Sequence, residues 1–211
     1  MIVTFLPAAG ASRRMKGRDK LLEPVDGRPL LRRAAETALA AGLGPVLVGL
    51  RPDHRARQEA LKNLAVGILE VPDAGQGLSA SLRSGAEAAL AAIEAAAPAF
   101  VEDEYSGMLV LLPDMPDLEA SDLAHLARVF QARGGPVVRG ATADGRPGHP
   151  VLFPRSLLHD FNRLTGDAGA AGLLEGERVL TVPLAGDRAL TDLDTAEDWA
   201  RWRDEPGPSS T

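Results

Sequence analysis

The residues best suited to chemistry lie in one short stretch near the start of the chain. Residues 8–12 read Ala-Ala-Gly-Ala-Ser, and five cations follow within the next eight positions, namely Arg13, Arg14, Lys16, Arg18 and Lys20. Small residues let backbone N–H groups approach a ligand closely, while Arg and Lys supply charge and donors for phosphate oxygens. The pattern therefore predicts a polyphosphate cradle, with a solvated basic loop or a nucleic-acid patch as the alternatives.

We expect this loop at one edge of a β-sheet, because residues 2–6 form a short apolar run typical of a buried strand. Further strand patterns occupy 45–50, 66–71, 108–112, 136–139 and 178–182, and helix patterns occupy 30–41, 53–64, 81–97, 121–133, 155–161, 168–174 and the segment after Thr195. The helix over 121–133 is expected to be capped near Ala120 or Ser121. This order predicts a Rossmann-like, three-layer α/β fold with a mostly parallel sheet, and such sheets bind ligands at the carboxyl ends of their strands.

Composition limits the function classes. The chain has 211 residues, a net charge of −6, no cysteine and 4% aromatic residues. The acidic balance argues against nucleic acid, and the absence of cysteine excludes disulfides and thiolate sites. No apolar run has membrane-spanning length and no cationic leader precedes residues 2–6, so we expect no membrane partner and a cytoplasmic protein. We also expect one domain over 1–203 and a disordered polar tail over 204–211.

Common phosphate-binding and catalytic motifs are absent from the chain. It contains no G-x-x-x-x-G-K-[ST] sequence, and its first loop does not read G-x-G-x-x-G, so P-loop and standard dinucleotide sites are excluded. It also lacks G-x-S-x-G and H-E-x-x-H. If the basic loop binds phosphate, it therefore belongs to a different kind of phosphate site.

Four segments resemble, in chain order, the motifs of one enzyme family. They are Ala8-Ala9-Gly10-x-Ser12-x-Arg14-Met15 with Lys20, Pro113-Asp114-Met115-Pro116, Gly145-x-Pro147-Gly148-His149-Pro150, and Asp192-Leu193-Asp194-Thr195-x-Glu197-Asp198. Together they resemble the molybdenum cofactor nucleotidyltransferases, and in particular their cytidylyltransferase branch. The resemblance spans roughly residues 2–203.

The resemblance implies a Mg²⁺-dependent transfer of CMP from CTP onto the phosphate of a molybdopterin-type molybdenum cofactor, with release of pyrophosphate. It implies that the backbone of residues 8–12 and Arg14 hold the triphosphate and that Lys20 holds the α-phosphate region. Asp114 and Asp194 would bind Mg²⁺, and Arg14, Lys20 and Asp114 would be the catalytic residues. Such a transfer needs positioning and charge neutralisation, because the attacking phosphate is already ionised near pH 7.

The acidic candidates also have simpler structural explanations. Asp114 could stabilise a turn or cap a helix, and Asp194 could cap the last helix, with Thr195 as the competing cap. Mg²⁺ prefers one or two carboxylates together with phosphate oxygens. This preference favours Asp114 as a ligand, since its turn ends at the sheet edge that carries the basic loop. For Asp194 the two roles stay open, with Asp192 as the fallback ligand.

Selection of the base depends on less conspicuous residues. Related guanylyltransferases resemble one another in carrying Gly-Gly where this chain has Ala9-Gly10, and they lack a serine-rich stretch such as 77–85. These features resemble the cytidylyl branch, although Ser79 and Ser81 could instead be helix caps. The nucleotide-binding residues implied by the resemblance are Ala8, Ala9, Gly10, Ala11, Ser12, Arg14, Lys20, Gly77, Ser79 and Ser81.

The acceptor is expected at Gly148 and His149, although a lone histidine could make only a structural hydrogen bond. The chain departs from the family pattern at Pro7, where an apolar residue is usual, at Lys16, where glycine is usual, and at Ala171, where arginine is usual. Ala171 belongs to the acceptor half, so the identity of the acceptor stays open.

Two alternatives follow from these departures. One is a transferase of the same fold that uses GTP or another phosphorylated acceptor. The other is a non-catalytic carrier that inserts molybdenum cofactor into an apo-enzyme. In the enzyme reading, CTP and the molybdopterin-type cofactor are the substrates, and a molybdenum enzyme that receives the product is a candidate partner.

Overall fold

A seven-stranded sheet forms the middle of the structure, a computed structural model that describes residues 1–15, 17–96, 105–166 and 169–204. The described strands are β1 (Ile2–Pro7), β2 (Pro24–Val25), β3 (Arg28–Pro29), β4 (Val46–Leu50), β5 (Gly67–Glu70), β6 (Gly107–Val110), β7 (Val137–Ala141), β8 (Pro147–Pro154) and β9 (Val179–Pro183). The described α-helices are α1 (Leu30–Ala41), α2 (Arg55–Ala60), α3 (Leu78–Ala96), α4 (Ala120–Ala132) and α5 (Ala196–Asp204). Strands β2 and β3 pair separately from the large sheet.

The large sheet has the strand order β5-β4-β1-β6-β8-β7-β9 and is mostly parallel, which confirms the predicted fold class. Strand β1 lies between β4 and β6 and is parallel to both. Strand β8 is the exception, because it runs antiparallel to β6 and to β7. The short turn between β7 and β8, in which Gly145 has φ of 90°, reverses the chain and sets that direction.

Helices cover both faces of the sheet, as a three-layer α/β fold requires. Helices α1 and α4 pack with Ile2 and Leu6 on one face, and α3 packs with Val3 and Phe5 on the other. This division follows from the alternation of side chains along a strand. Gly85 of α3 lies so close to Phe5 that a Cβ atom at position 85 would be 2.6 Å from the ring. The close packing sets the position of α3 over the sheet, and with it the position of the helix start beside the sheet edge.

Two helices begin earlier than the sequence predicts. Helix α3 starts at Leu78 instead of Ser81, so the alternative in which Ser79 and Ser81 cap it is not retained: both are buried within its first turns. Helix α4 starts at Ala120 instead of Ser121, and its cap is Glu119 instead of Ala120 or Ser121. The backbone N–H of Glu119 donates to the Asp122 carboxylate over 2.9 Å, which closes a capping box.

Other boundaries also differ from the predictions. Helix α2 ends at Ala60 rather than Leu64, and the two short helices expected at 155–161 and 168–174 are 3-10 helices at Arg155–Arg163 and Ala171–Leu174. Of the connection predicted at 98–106, residues 98–104 lie outside the described residues. The predicted tail at 204–211 also lies outside them, except for Asp204, which ends α5. Among the described residues, no helix is long and apolar enough to cross a membrane.

Candidate active site

A cleft of about 620 Å³ opens at the sheet edge where β1, β4 and β6 end. It is lined by ten of the residues predicted from the sequence, namely Ala9, Gly10, Ala11, Ser12, Arg14, Lys20, Gly77, Ser81, Asp114 and Asp194. These residues come from the loops that follow β1, β5 and β6, from the first turns of α3 and from the segment before α5. The cleft therefore brings together three of the four segments that carry the family resemblance.

The loop after β1 forms the floor of the cleft. Its first residue, Ala8, is fully buried, and its backbone N–H donates to the Gly49 carbonyl over 2.9 Å. At Gly10, a Cβ atom would meet nothing within 4 Å, so glycine keeps this part of the floor low and open. Ser12 has φ of 48°, a left-handed conformation that turns the chain into a 3-10 turn at Arg13–Met15. The loop thus exposes backbone and small side chains to the cleft, as a phosphate cradle requires.

A buried arginine that sequence reasoning missed holds this loop in place. Arg57 of α2 is 1% exposed, and its guanidinium donates to the Ala8 carbonyl over 2.5 Å and to the Ser12 hydroxyl over 3.1 Å. It also donates to both carboxylate oxygens of Asp19, each over 2.7 Å. Burial raises the pKa of Asp19, but the hydrogen bonds and charge of Arg57 outweigh burial and lower it. One side chain therefore fixes both ends of the cationic loop.

Lys20 lies between two carboxylates at the heart of the cleft. Its Nζ atom is 2.5 Å from Asp114 Oδ2 and 2.5 Å from Asp194 Oδ1. Arg14 donates to the other oxygen of Asp194, also over 2.5 Å. Burial lowers the pKa of Lys20, but the charges of Asp114 and Asp194 outweigh burial and raise it. The basic loop and the two predicted acidic residues thus form one network.

The segment before α5 shows why Asp194 is available to this network. Thr195 caps α5: its hydroxyl accepts from the Asp198 N–H over 3.1 Å and donates to the Asp198 carboxylate over 2.6 Å. The open choice of helix cap is therefore decided in favour of Thr195. The Leu193 N–H donates to the Asp114 carbonyl over 3.0 Å, which ties the two acidic segments together.

Three carboxylates give the network its electrostatic character. Burial raises the pKa of Asp194, but hydrogen bonding and charge from Lys20, followed by Arg14, outweigh burial and lower it. Asp192, which also lines the cleft, has its pKa raised by burial and by the charges of Asp114 and Asp194. The charge of Lys20 lowers the pKa of Asp192 but does not outweigh burial and the two acidic neighbours.

The donor set can be compared with the needs of a divalent metal ion. Asp114 Oδ1 is buried and has no hydrogen-bond partner among the described residues, so this oxygen is open to a cation. Within the same residues, no group of three or more His, Asp or Glu side chains could hold a metal by itself. Mg²⁺ commonly takes only one or two carboxylates and completes its shell with phosphate oxygens and water. The residues present fit Mg²⁺ of that kind.

Four predicted residues lie outside the lining of the cleft. Ala8 uses its backbone N–H for Gly49 and its carbonyl for Arg57, and the Ser79 hydroxyl is buried without a partner among the described residues. Gly148 is packed so tightly that a Cβ atom would lie 1.9 Å from the Ala189 carbonyl oxygen. The fourth is His149.

His149 belongs to the hydrogen-bonded framework of β8. Its backbone N–H donates to the Ala189 carbonyl over 2.8 Å. Burial lowers the pKa of its side chain, and the charge of Arg139 lowers it further, against the opposing charge of Asp114. Burial and Arg139 therefore disfavour the charged imidazolium, and Asp114 is near enough for its charge to oppose them.

The cleft is also lined by residues that sequence reasoning did not select. Arg51 follows β4, and Ala74 and Gly75 follow β5. The Arg51 guanidinium donates from Nε and Nη2 to the two oxygens of Asp53, over 3.1 and 3.0 Å. The only available signal was their position just after predicted strands, at the ligand-binding edge of the sheet. Ala171, the departure in the acceptor half, lies in the 3-10 helix Ala171–Leu174; Lys16 lies outside the described residues.

Comparison with known proteins identifies similar chains. The model of the MobA-like NTP transferase domain matches residues 5–182. The chain is 33% identical to a phosphoenolpyruvate guanylyltransferase of Rubrobacter xylanophilus over 179 residues, which cover 82% of this chain and 77% of that protein. It is 30% identical to a probable molybdenum cofactor guanylyltransferase of Opitutus terrae over 156 residues, 74% of this chain and 68% of that protein.

A third relative matches over a shorter stretch. It is a 2-C-methyl-D-erythritol 4-phosphate cytidylyltransferase of Cereibacter sphaeroides, 39% identical over 86 residues. That match covers 40% of this chain and spans only 38% of the length of the cytidylyltransferase.

Solved structures extend the likeness to the whole fold. The crystal structure of Rv0371c from Mycobacterium tuberculosis is 26% identical, with a TM-score of 0.77, and the match covers 97% of this chain and 99% of that chain. The same mycobacterial protein has also been solved in complex with manganese, with a TM-score of 0.69, 24% identity and coverage of 95% of this chain and 96% of that chain. The second likeness shows the fold alone.

Proposed function

The chain belongs to the family of MobA-like NTP transferase domains, and from this premise we propose that it moves CMP from CTP onto the phosphate of a molybdopterin-type molybdenum cofactor and releases pyrophosphate. Its relatives are named cytidylyl- and guanylyltransferases, so the chain is a nucleotidyltransferase. A purely non-catalytic carrier is therefore not retained. The observation that carries the proposal is the position of Lys20, which joins Asp114 and Asp194 in a cleft floored by Gly10.

The proposed reaction needs charge neutralisation more than proton transfer. An oxygen of the acceptor phosphate attacks the α-phosphorus of CTP, and the bond from that phosphorus to the bridging oxygen breaks. The electron pair leaves with pyrophosphate. The attacking phosphate is already ionised near pH 7, so no side chain has to remove a proton from it. A site without a catalytic base is compatible with this chemistry.

The cations of the cleft would hold the triphosphate. We expect Lys20 to exchange its carboxylate partners for phosphate oxygens when CTP binds, because phosphate oxygens accept charge-assisted hydrogen bonds of the same kind. Arg14 is 73% exposed and can turn toward the same phosphates. Arg57 would act indirectly, by keeping the backbone of the loop in the shape that receives them.

The carboxylates that Lys20 releases would then hold Mg²⁺. Asp114 offers a buried oxygen without a partner among the described residues, and Asp194 offers a second carboxylate on the same lysine. Mg²⁺ in this place would neutralise the triphosphate and polarise its α-phosphorus. The manganese complex of the similar mycobacterial protein is consistent with a divalent ion in this fold.

GTP is the second candidate donor, because the two relatives that match over most of their length are named guanylyltransferases. Support for CTP comes from Ala9, which is 2% exposed and lines the cleft. Related guanylyltransferases resemble one another in carrying glycine at this place, as the first residue of a Gly-Gly pair. The side chain of Ala9 packs with Val71 and Ala80, so its support for CTP is the resemblance to the cytidylyl branch. The alternative that the acceptor is another phosphorylated compound can be tested in the same turnover experiment.

Nucleotide binding and turnover with purified protein test this proposal. We expect CTP with Mg²⁺ to bind to the wild type, and addition of the molybdopterin-type cofactor to release pyrophosphate. Lys20→Ala and Asp114→Ala should both lose turnover. Arg128→Ala, which removes an exposed cation on α4, is the matched control and should retain it. Turnover with GTP but not with CTP would show that GTP is the donor. No turnover with either nucleotide, together with unchanged nucleotide binding by Lys20→Ala, would reject the proposal.

A further inference from the structure

Arg51 stands at the opposite side of the cleft from the Lys20 network. It follows β4, which flanks β1 on one side, whereas Asp114 follows β6, which flanks β1 on the other. Both residues line the same cleft, and the loop after β1 passes between them. A nucleotide whose phosphates lie at Lys20 and Asp114 would therefore extend its nucleoside toward Arg51.

The surroundings of Arg51 suit a flat, uncharged group. The neighbouring wall consists of Ala74, Gly75 and Gly77, and a Cβ atom at Gly75 would meet nothing within 4 Å. Asp53 already balances the positive charge of Arg51 through two hydrogen bonds. A guanidinium neutralised in this way attracts phosphate less strongly than Lys20 or Arg14 does, but it keeps its directional donors.

The pairing with Asp53 also decides which donors remain. Asp53 accepts from Nε at 3.1 Å and from Nη2 at 3.0 Å, so it occupies one edge of the planar guanidinium. The end formed by Nη1 and the second hydrogen of Nη2 has no hydrogen-bond partner among the described residues, and it presents two parallel N–H groups. The Arg51 side chain is 39% exposed, so this fork is accessible from the cleft.

We propose that Arg51 is the residue that selects the base of the nucleotide, by donating its Nη1/Nη2 fork to two adjacent acceptor atoms on the base. The proposal rests on the proposed nucleotide-binding role of the cleft and adds a specificity residue to it. Cytosine presents O2 beside N3, and guanine presents O6 beside N7, so both bases offer an adjacent pair of acceptors. Uracil places an N–H donor between its two carbonyls, and adenine places its amino group beside N7 or N1. Arg51 therefore favours cytosine and guanine over uracil and adenine.

Calorimetric titration of CTP, GTP, UTP and ATP, each with Mg²⁺, tests the proposal without any acceptor. The variants are Arg51→Ala and Arg51→Lys, because lysine keeps the charge but loses the fork. Arg55→Ala is the matched control: it removes an exposed arginine four positions away that does not line the cleft. Thermal unfolding of each variant verifies that the fold is kept.

We expect the wild type and Arg55→Ala to bind CTP or GTP more tightly than UTP and ATP. Both Arg51 variants should lose this discrimination by roughly fivefold or more, the lower end of what one bidentate arginine contact contributes. Equal weakening of all four nucleotides, or full discrimination retained by Arg51→Lys, would overturn the proposal in favour of a phosphate contact. A wild type that binds all four alike would also overturn it and leave the proposed nucleotidyl transfer intact. Failure of the wild type to bind any of them would reject both.

Discussion

The Nζ atom of Lys20 joins Asp114 and Asp194 at 2.5 Å each, although 94 and 174 residues of chain separate the lysine from these partners. One ammonium group thus lies between two carboxylates and offsets their mutual repulsion across the cleft. The side chains of Lys20 and Asp114 are only 17% and 14% exposed, so solvent screens this interaction weakly. Lys20 therefore links the loop after β1, the turn after β6 and the segment before α5.

Removal of Lys20 should destabilise the protein in a metal-dependent way. We expect Lys20→Ala to lower the free energy of unfolding by about 1–3 kcal/mol, less than the roughly 3–5 kcal/mol typical of a fully buried pair. Mg²⁺ should restore part of the loss, because it can take the place of the lost charge between Asp114 and Asp194. Chemical denaturation with and without Mg²⁺ measures this effect. Lys62→Ala, on an exposed lysine paired with Glu59, is the control; equal losses for both variants would contradict the prediction.

The two carboxylates should contribute unequally to metal binding. Asp114 is less exposed than Asp194, 14% against 31%, and one of its oxygens is buried without a partner among the described residues. We expect Asp114→Asn to weaken Mn²⁺ binding in the presence of CTP by more than the roughly 10–100-fold seen when outer groups around a metal are removed. Asp194→Asn should cause a smaller loss, and Asp26→Asn none. Electron paramagnetic titration of Mn²⁺ gives the three affinities, and a larger effect at Asp194 would refute this ranking.

Arg57 should stabilise the protein through the loop that it holds. We expect Arg57→Met to cost about 3–5 kcal/mol of stability, because it leaves the Asp19 carboxylate and the Ala8 carbonyl without their buried donor. The double variant Arg57→Met with Asp19→Asn should be less unstable than the sum of the two single variants. Denaturation of all four proteins closes the cycle. Additive losses would show that the 2.7 Å contacts between Arg57 and Asp19 contribute no coupling.

The same pair predicts how stability depends on pH. Hydrogen bonds and charge from Arg57 hold the pKa of Asp19 below its usual 3.8, against the effect of burial. A lowered pKa in the folded state adds stability that is fully present above the unfolded value and disappears as pH falls through the folded value. The stability difference between wild type and Asp19→Asn should therefore be constant near neutral pH and shrink below about pH 3.8. Urea denaturation across this range measures it; a difference that grows on acidification would have the wrong sign.

Substitution by alanine should affect stability at one glycine and CTP binding at another. Gly148→Ala would place a Cβ atom 1.9 Å from the Ala189 carbonyl oxygen, so the backbone must shift, and we expect a loss of about 1–3 kcal/mol or more. Gly10→Ala meets nothing within 4 Å and should leave stability within about 0.5 kcal/mol. Its methyl group would instead protrude from the floor of the cleft and weaken CTP binding. Denaturation and CTP titration of both variants separate the two effects, and parallel losses would contradict them.

Much of the fold can be predicted from the sequence, because strand and helix patterns report which face of each element is buried. The apolar run at residues 2–6 and the amphipathic pattern at 30–41 correspond to β1 and α1. The start of α3 was misplaced, since nothing local shows that Ser79 and Ser81 are buried inside the helix. Burial of a polar residue depends on what packs against it, and that is decided by distant parts of the chain.

The candidate site divides in the same way. Lys20 and Asp114 could be predicted as partners because both follow strands that end at one sheet edge. The choice of Thr195 over Asp194 as helix cap could not be predicted, because both residue types are acceptable caps. Only the contacts of Asp194 with the distant Lys20 and Arg14 distinguish the two residues. Arg57 and Arg51 were missed for a related reason: arginine in a polar helix or loop has the same local pattern whether it is solvated or functional.

Residue order alone predicted the α/β class, which the structure confirms, and it indicated a phosphate cradle in the first loop and an acidic turn at Asp114, since these predictions depend on local periodicity and residue type. Tertiary structure decided the direction of β8, the network that joins Lys20 to Asp114 and Asp194, and the contacts of Arg57 with Ala8, Ser12 and Asp19. Side-chain hydrogen bonds act over about 3 Å, whereas their partners here are separated by tens of residues. Only the packing of helices on the sheet brings such groups within that distance, and no local pattern encodes it.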